Sequence, residues 1–322
     1  MAAILAYPAP DNVRSVAIVG AGLIGASWAA YFLSRGIVVR ATDPAPGAEA
    51  RLRAFIDSAW TALERLGLPP GADRSKFAFC EAIEETVQGV DFVQENARED
   101  EALKIELFHR IGDATPRGTI VASSSSALLM SRIQSRCRYP ERCVLGHPFN
   151  PPHLVPLVEV VGGDRTDPAA VDAAVAFYNR IGKRAVRLNR EIGGHIANRL
   201  AAALWREAIH LVATGVASVE DVDASIAYGP GLRWAIMGPY LTYHMGGGTG
   251  GLESFFAQFG RMQEERWADL GRPKMTPELQ RTLIEGVRDA TGGKSMDELA
   301  AERDRCLIAV LAALKACRAQ TN

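Results

Sequence analysis

Residues 16–36 read VAIVGAGLIGASWAAYFLSRG: a β-branched run, then Gly20, Gly22 and Gly25, then a helical pattern of apolar residues. Each glycine has its own physical reason to be there. The first allows a tight turn out of a strand, the second lets the main chain approach a pyrophosphate, and the third lets helix and strand pack closely. The N-terminus of the following helix then faces the phosphate charge with N–H groups that have no partner within the helix. Leu23 and Ile24, between the second and third glycines, belong to the same candidate dinucleotide loop. Further on, Asp43 closes the next β-branched run, IVVRAT. A carboxylate there accepts hydrogen bonds from an adenosine ribose and repels a 2'-phosphate, which favours NAD over NADP, although Arg40 and Arg51 nearby keep NADP open. The alternative is an ordinary glycine-rich turn, and a strand, a helix and an acid all in the required places weigh against it.

The texture around this motif repeats and then stops. VAIV, IVVRAT, FAF at 77–79, DFVQE at 91–95, TIVAS at 119–123, CVLGH and LVPLVEVV alternate with helical stretches up to about residue 190. Alternation of this kind predicts an α/β domain, a Rossmann-like, doubly wound and mostly parallel sheet with helices on both faces. Beyond it, HIANRLAAALWREAIHLVATG repeats apolar residues at helical spacing and ends at Gly215, and SVED at 218–221 reads as a capping box opening another helix. An all-α C-terminal domain is therefore expected, with residues 1–189 forming the nucleotide-binding domain and 190–322 the helical one. A chain of 322 residues is long for a single core, which agrees with two domains. The glycine run GGGTGG at 246–251 lacks the lysine of a phosphate loop and reads as a flexible connection.

Composition narrows the partners. The chain is 48% apolar with a net charge of −1, so there is no electrostatic reason to expect nucleic acid. The opening MAAILAYPAPDNV has too short an apolar run for a secretory leader, and no segment approaches a membrane span. A cytoplasmic protein is the expectation. Five cysteines without a C-x-x-C pair suggest neither a disulfide framework nor a zinc site, and His109, His153, His195, His210 and His244 read as structural or exposed rather than catalytic, with no pair at metal-ligand spacing on one helix face.

The stretch CVLGHPFNPPHLVPLVEVV carries a chemical demand. Glu159 lies in a β-branched strand, where an ionised carboxylate is costly without a partner. If GHPF ends one strand and LVPLVEVV forms the next, an excursion through NPPH brings His147 and Glu159 together across the sheet. A carboxylate bonded to one imidazole nitrogen fixes the tautomer and leaves the other nitrogen to take a proton from a substrate hydroxyl. A pair that merely satisfies itself in a core is the alternative reading.

Taken together, GAGLIG with Asp43, the serine run at 123–126, GHPFNPP, VEVV and GGHIANR at 193–199 resemble the L-3-hydroxyacyl-CoA dehydrogenase superfamily over almost the whole chain. The resemblance implies an NAD-dependent dehydrogenase whose active site is made by Ser126, His147, Glu159 and Asn198. It also implies cofactor contacts from Glu99, Lys104 and Asn150, with Ser126 touching both cofactor and substrate, and a homodimer formed through the helical domain. Members that use acyl-CoA usually have Asn two residues before the serine, where this chain has Ser124. In the second half, ALWREAIHLV, GPGLRWAIMGPYLTYHMGGGTGG and FFAQFG resemble the branch that acts on small hydroxy acids such as carnitine and gulonate. Members acting on carnitine tend to have Asp where this chain has Asn198.

For a substrate of that kind, Arg233 can clamp a carboxylate in two-pronged fashion. Trp234, Tyr240, Tyr243 and Trp205 can wall a quaternary ammonium group at about 0.5 to 2 kcal/mol per good cation–π contact. The same residues are the ordinary stuff of a helical core and of salt bridges. Three functions compete on this reading: oxidation of carnitine or a close analogue, oxidation of L-gulonate or an acyl-CoA, and nucleotide binding without turnover.

Overall fold

The computed structural model describes residues 6–319, so the first five residues of the opening segment, on which the leader reading partly rests, lie outside the described residues. In chain order the regular elements of the first half are β1 (Ser15–Val19), α1 (Leu23–Ser34), β2 (Val38–Thr42), α2 (Ala48–Leu66), β3 (Phe77–Phe79), α3 (Ile83–Val87), β4 (Phe92–Glu95), α4 (Glu101–Ala114), β5 (Ile120–Ser123), α5 (Met130–Ile133), β6 (Cys143–Pro148), β7 (Leu157–Gly162), α6 (Pro168–Arg180) and β8 (Arg184–Arg187). The strands form a single sheet in the order β3-β2-β1-β4-β5-β6-β7-β8. All neighbouring pairs are parallel except β6 and β7. The order reverses between β1 and β4, and that is where a doubly wound sheet opens a crevice at the carboxyl ends of its strands.

Successive residues of β1 explain how both faces are covered. Val16 and Ile18 join one buried cluster with Trp28 and Phe32 of α1, Leu52 of α2 and Phe177 of α6. Ala17 and Val19 join the opposite cluster with Val87 of α3, Phe108 and Ile111 of α4 and Met130 of α5. A strand buried on both sides must be apolar at every position, which is why SVAIV does not alternate. For the same reason α1 is apolar almost all round: Gly25 to Ser34 are all buried. The helices start at chemically defined points. Asp100 accepts from the Leu103 N–H at the head of α4, and Asp167 accepts from the Ala169 N–H at the head of α6, with Pro168 in the first turn.

The remaining helices are α7 (Ala197–Ala213), α8 (Val219–Ala227), α9 (Pro230–Trp234), α10 (Pro239–Gly246), α11 (Gly251–Asp269), α12 (Pro277–Ala290) and α13 (Met296–Ala319). Ser218 caps α8 by accepting from Asp221 N–H, as the SVED motif predicts. Gly215 follows α7 with φ +72°. The chain divides into two compact units, one of Met1–Asn198 with Asp304–Ala312 and one of Arg199–Arg303 with Ala313–Asn322. Within the second unit, Phe255 of α11 is buried against Tyr243 and Phe259, with ring centroids 5.0 and 5.2 Å away. The glycine run has local structure of its own. Gly248–Gly250 form a 3-10 turn between α10 and α11. A Cβ on Gly247 would lie 1.7 Å from the Gly251 carbonyl oxygen, so Gly247 serves close backbone approach. Among the described residues no helix is long and apolar enough to cross a membrane.

Candidate active site

The antiparallel pairing of β6 and β7 sets His147 directly opposite Glu159. Their side chains meet on one face, with His147 Nδ1 3.1 Å from Glu159 Oε2. Both are buried, at 5% and 2% exposure. A carboxylate can only accept, so Nδ1 carries the proton and Nε2 is left as an acceptor. The second carboxylate oxygen, Oε1, accepts from the N–H groups of Ile196 at 2.8 Å and Ala197 at 3.0 Å. Burial alone would push the Glu159 carboxyl up; the bonds from His147 and the two N–H groups outweigh it and hold the group below the ordinary glutamate range. The carboxylate demanded by the LVPLVEVV strand is thus paired on both oxygens.

Around His147 lies a cavity of about 420 Å³, lined by Ile24, Asn96, Ala97, Glu99, Ser124, Ser126, Pro148, Phe149, Asn150 and Asn198. Six residues expected from the sequence, Ile24, Glu99, Ser126, His147, Asn150 and Asn198, line this one cavity, and Glu159 stands behind His147. Glu99 organises the loop that carries Ser126. Its Oε1 accepts from Ser125 Oγ at 2.5 Å, Ser126 N at 2.9 Å and Ala127 N at 2.7 Å. Burial acts to raise its carboxyl, but the Ser125 hydroxyl, the Ala127 N–H and the Lys104 ammonium keep it below the ordinary range. Ser124 donates to Asn96 Oδ1 at 2.7 Å and accepts from Gln94 Nε2 at 2.9 Å.

A second cavity, of about 520 Å³, includes Val19, Gly20, Thr42, Asp43, Pro44, Ile83, Ala97 and Leu107 in its lining. Ala97 borders both cavities, and the glycine loop lies beside them. The loop geometry fits a dinucleotide. A Cβ on Gly25 would fall 1.9 Å from the Gly20 carbonyl oxygen and one on Gly20 would meet the Ala97 N at 2.8 Å, whereas one on Gly22 meets nothing within 4 Å. Gly20 and Gly25 are therefore packing glycines, and Gly22 leaves open space at the head of α1 where a pyrophosphate can approach. Asp43 holds the loop by accepting from Ala21 N at 2.7 Å and its own turn by accepting from Ala45 N at 2.9 Å, while facing the second cavity.

Two expected contributors sit elsewhere. Lys104 is 1% exposed and lines neither cavity. Its ammonium is bound to Glu95 at 2.7 and 3.0 Å and to the Ala97 carbonyl at 2.9 Å, beneath the strand end rather than at the wall. Leu23 is exposed at the start of α1, while Ile24 reaches the first cavity. Arg233 and Trp234 on α9 and Tyr240 on α10 belong to the second unit, where their side chains are exposed. His195, structural or exposed by the sequence alone, stands next to His147. It is buried, and its ring centroid lies 4.8 Å from that of His147. Asn96 and Phe149 were also missed, and Phe149 packs edge-on to His147 at 5.5 Å. The only sequence signal for Phe149 was its place within GHPFNPP.

The profile of the 3-hydroxyacyl-CoA dehydrogenase NAD binding domain matches residues 15–192, and that of the 3-hydroxyacyl-CoA dehydrogenase C-terminal domain matches residues 194–281. The chain is 50% identical over 305 residues to an L-carnitine dehydrogenase of Streptomyces griseus subsp. griseus, covering 95% of this chain and 91% of that one. It is 47% identical over 309 residues to an L-carnitine dehydrogenase of Burkholderia mallei, covering 96% of each. Among solved structures, 5-formyl-3-hydroxy-2-methylpyridine 4-carboxylic acid 5-dehydrogenase, described as an NAD+ dependent dismutase, superposes with a TM-score of 0.81 at 31% identity, covering 94% of this chain and 99% of that one.

Proposed function

The chain belongs to the 3-hydroxyacyl-CoA dehydrogenase family, and from that premise we propose that it catalyses the NAD-dependent oxidation of L-carnitine to 3-dehydrocarnitine. The observation that carries the reading is the His147–Glu159 pair at a cavity wall shared with Ser126 and Asn198, in a chain whose relatives of 44 to 50% identity are L-carnitine dehydrogenases. NAD, when bound, supplies the acceptor for the hydride that leaves the carbinol carbon. Gly20 to Gly25 and Asp43 hold the cofactor, assisted by Glu99 and Asn150. Lys104 acts from below by fixing Glu95 and the Ala97 carbonyl.

His147 Nε2 takes the proton of the substrate hydroxyl. Glu159 balances the positive charge that the imidazole gains, and its bonds to Ile196 and Ala197 keep it from turning away. Ser126 and Asn198 donate to the substrate oxygen as it becomes a carbonyl. Residues 1–189 serve the nucleotide and residues 190–322 the substrate. In that second region Arg233 takes the carboxylate, and Trp234 and Tyr240 take the quaternary ammonium. We assign the protein to the cytoplasm and to a homodimer paired through the helical region. Exposed Leu232, Ile236, Met245 and Trp267 supply apolar surface for that pairing.

A substrate panel of L-carnitine, L-gulonate and 3-hydroxybutyryl-CoA, followed by the absorbance of reduced nicotinamide, tests the reading. L-Carnitine should show the highest kcat/KM. Preference for either other compound refutes the substrate, and no turnover of any refutes the activity.

A further inference from the structure

His195 lies against His147 and the Ser125 carbonyl and precedes the two N–H groups that hold Glu159, yet its backbone is one that side chains avoid. It is the only non-glycine among the described residues with positive φ, at +48°, directly after Gly194 at +76°. A residue held in the left-handed region away from glycine persists only where its surroundings demand it. Here the demand is visible on three sides. The turn at His195 delivers the next two N–H groups, of Ile196 and Ala197, onto Glu159 Oε1. The imidazole lies against His147 with a centroid separation of 4.8 Å and an interplanar angle of 41°. Its Nε2 is 3.1 Å from the Ser125 carbonyl oxygen.

That last bond matters because of the peptide it grips. The peptide linking Ser125 to Ser126 is held at its carbonyl by His195 and at its N–H by Glu99 Oε1, 2.9 Å away. Both ends are fixed, so the plane from which the Ser126 side chain springs is fixed too. A carbonyl can only accept, so Nε2 carries the proton and Nδ1 is a bare acceptor. Nδ1 is buried and has no hydrogen-bond partner. Burial keeps the His195 ring below the ordinary histidine range, and His147 beside it acts in the same direction against the pull of the Ser125 bond. A protonated ring here would set a second cation beside His147 at the moment His147 gains its own.

We propose that His195 is a positioning residue for alcohol oxidation, an Nε2–H imidazole that sets the Ser126 peptide and backs the His147 ring. The inference rests on the proposed dehydrogenase activity, and its test has one arm that does not need turnover.

His195→Phe keeps a flat ring but loses the N–H, and His195→Gln offers an amide N–H at similar reach. Misplacing a reacting group by about an ångström costs on the order of 10²-fold, so kcat of H195F on L-carnitine should fall by roughly 10- to 100-fold with KM for L-carnitine and NAD nearly unchanged. H195Q should recover most of that loss. A wild-type kcat in H195F, or equal losses in both variants that follow a loss of melting temperature, overturns the proposal. Independently, imidazole nitrogen NMR of the wild-type protein at neutral pH should show His195 as the neutral Nε2–H tautomer. The H195F variant, or H195N if the former does not fold, should shift the His147 ring resonances. A cationic or Nδ1–H His195, or an unmoved His147, overturns it even if L-carnitine proves not to be the substrate. Wild-type failure on L-carnitine with the expected NMR result would instead sink the substrate reading alone.

Discussion

Glu159→Gln is the substitution whose outcome the geometry determines most tightly. Oε1 receives two N–H groups at 2.8 and 3.0 Å, and Oε2 receives one ring N–H at 3.1 Å. An amide has one acceptor oxygen and one donor nitrogen. Placing the NH₂ against Ile196 and Ala197 would set donors against donors and forfeit two charge-assisted bonds of about 1.5 to 3 kcal/mol each, so the amide oxygen must stay there. The NH₂ then faces His147 Nδ1, which has to become the acceptor. The ring proton moves to Nε2, the atom that must receive the hydroxyl proton, and the base is lost while the fold is kept. An analogous exchange in a Ser–His–Asp triad costs about 10⁴ in turnover by imposing the wrong tautomer, so a loss of roughly 10³ to 10⁴ is expected here. That corresponds to about 4 to 5.5 kcal/mol on the barrier. Steady-state formation of reduced nicotinamide at saturating NAD and L-carnitine measures it, with nucleotide affinity as the control. A kcat within about an order of magnitude of wild type would refute the tautomer argument.

Three further outcomes follow from the geometry. Lys104→Met leaves the fully buried Glu95 without its cation, and breaking such a pair costs about 3 to 5 kcal/mol, read as a drop in unfolding free energy in urea; an unchanged midpoint would show that Glu95 has other means of neutralisation. Asp43→Ala removes both the proposed ribose partner and the bond to Ala21 N, so KM for NAD should rise by roughly tenfold and the preference over NADP should narrow, and an unaltered NAD/NADP ratio counts against Asp43 as the selector. Glu99 and Glu159 both sit below their ordinary range when folded, so the unfolded chain binds more protons than the native one in acid. Their contribution is fully present above the ordinary glutamate value and is lost as pH falls through the lower folded values. Thermal melts from neutral to acid pH should therefore be less pH-dependent in Glu159→Gln, and an identical acid limb would contradict the linkage.

Much of this architecture is readable in the chain because single residues leave few options. VAIVGAGLIG admits a strand, a phosphate turn and a helix in that order and little else. Glu159 in a β-branched strand demands a partner, and GHPF at hairpin distance offers one. What escapes the sequence has a different physical character. β8, RAVR, is four residues with an arginine at each end, half-exposed at the sheet edge, and shows no apolar run. Lys104 is expected from the resemblance as a cofactor contact, and helical spacing alone does not reveal that its position on α4 faces the buried end of β4. The glycines at 246–251 look mobile by composition, and only the turn between α10 and α11 shows that Gly247 has no room for a side chain. His195 is recognisable only once β6, β7 and the head of α7 are brought together, since nothing in GGHIANR announces that its ring meets His147.

The most direct measurement is turnover of L-carnitine by His147→Gln, with nucleotide affinity determined on the same preparation by the fluorescence of bound reduced cofactor. An imidazole acting as the base predicts a kcat reduced by a factor on the order of 10² to 10⁴ with nucleotide affinity intact. Turnover close to that of the unaltered protein would take the proton-accepting role away from His147.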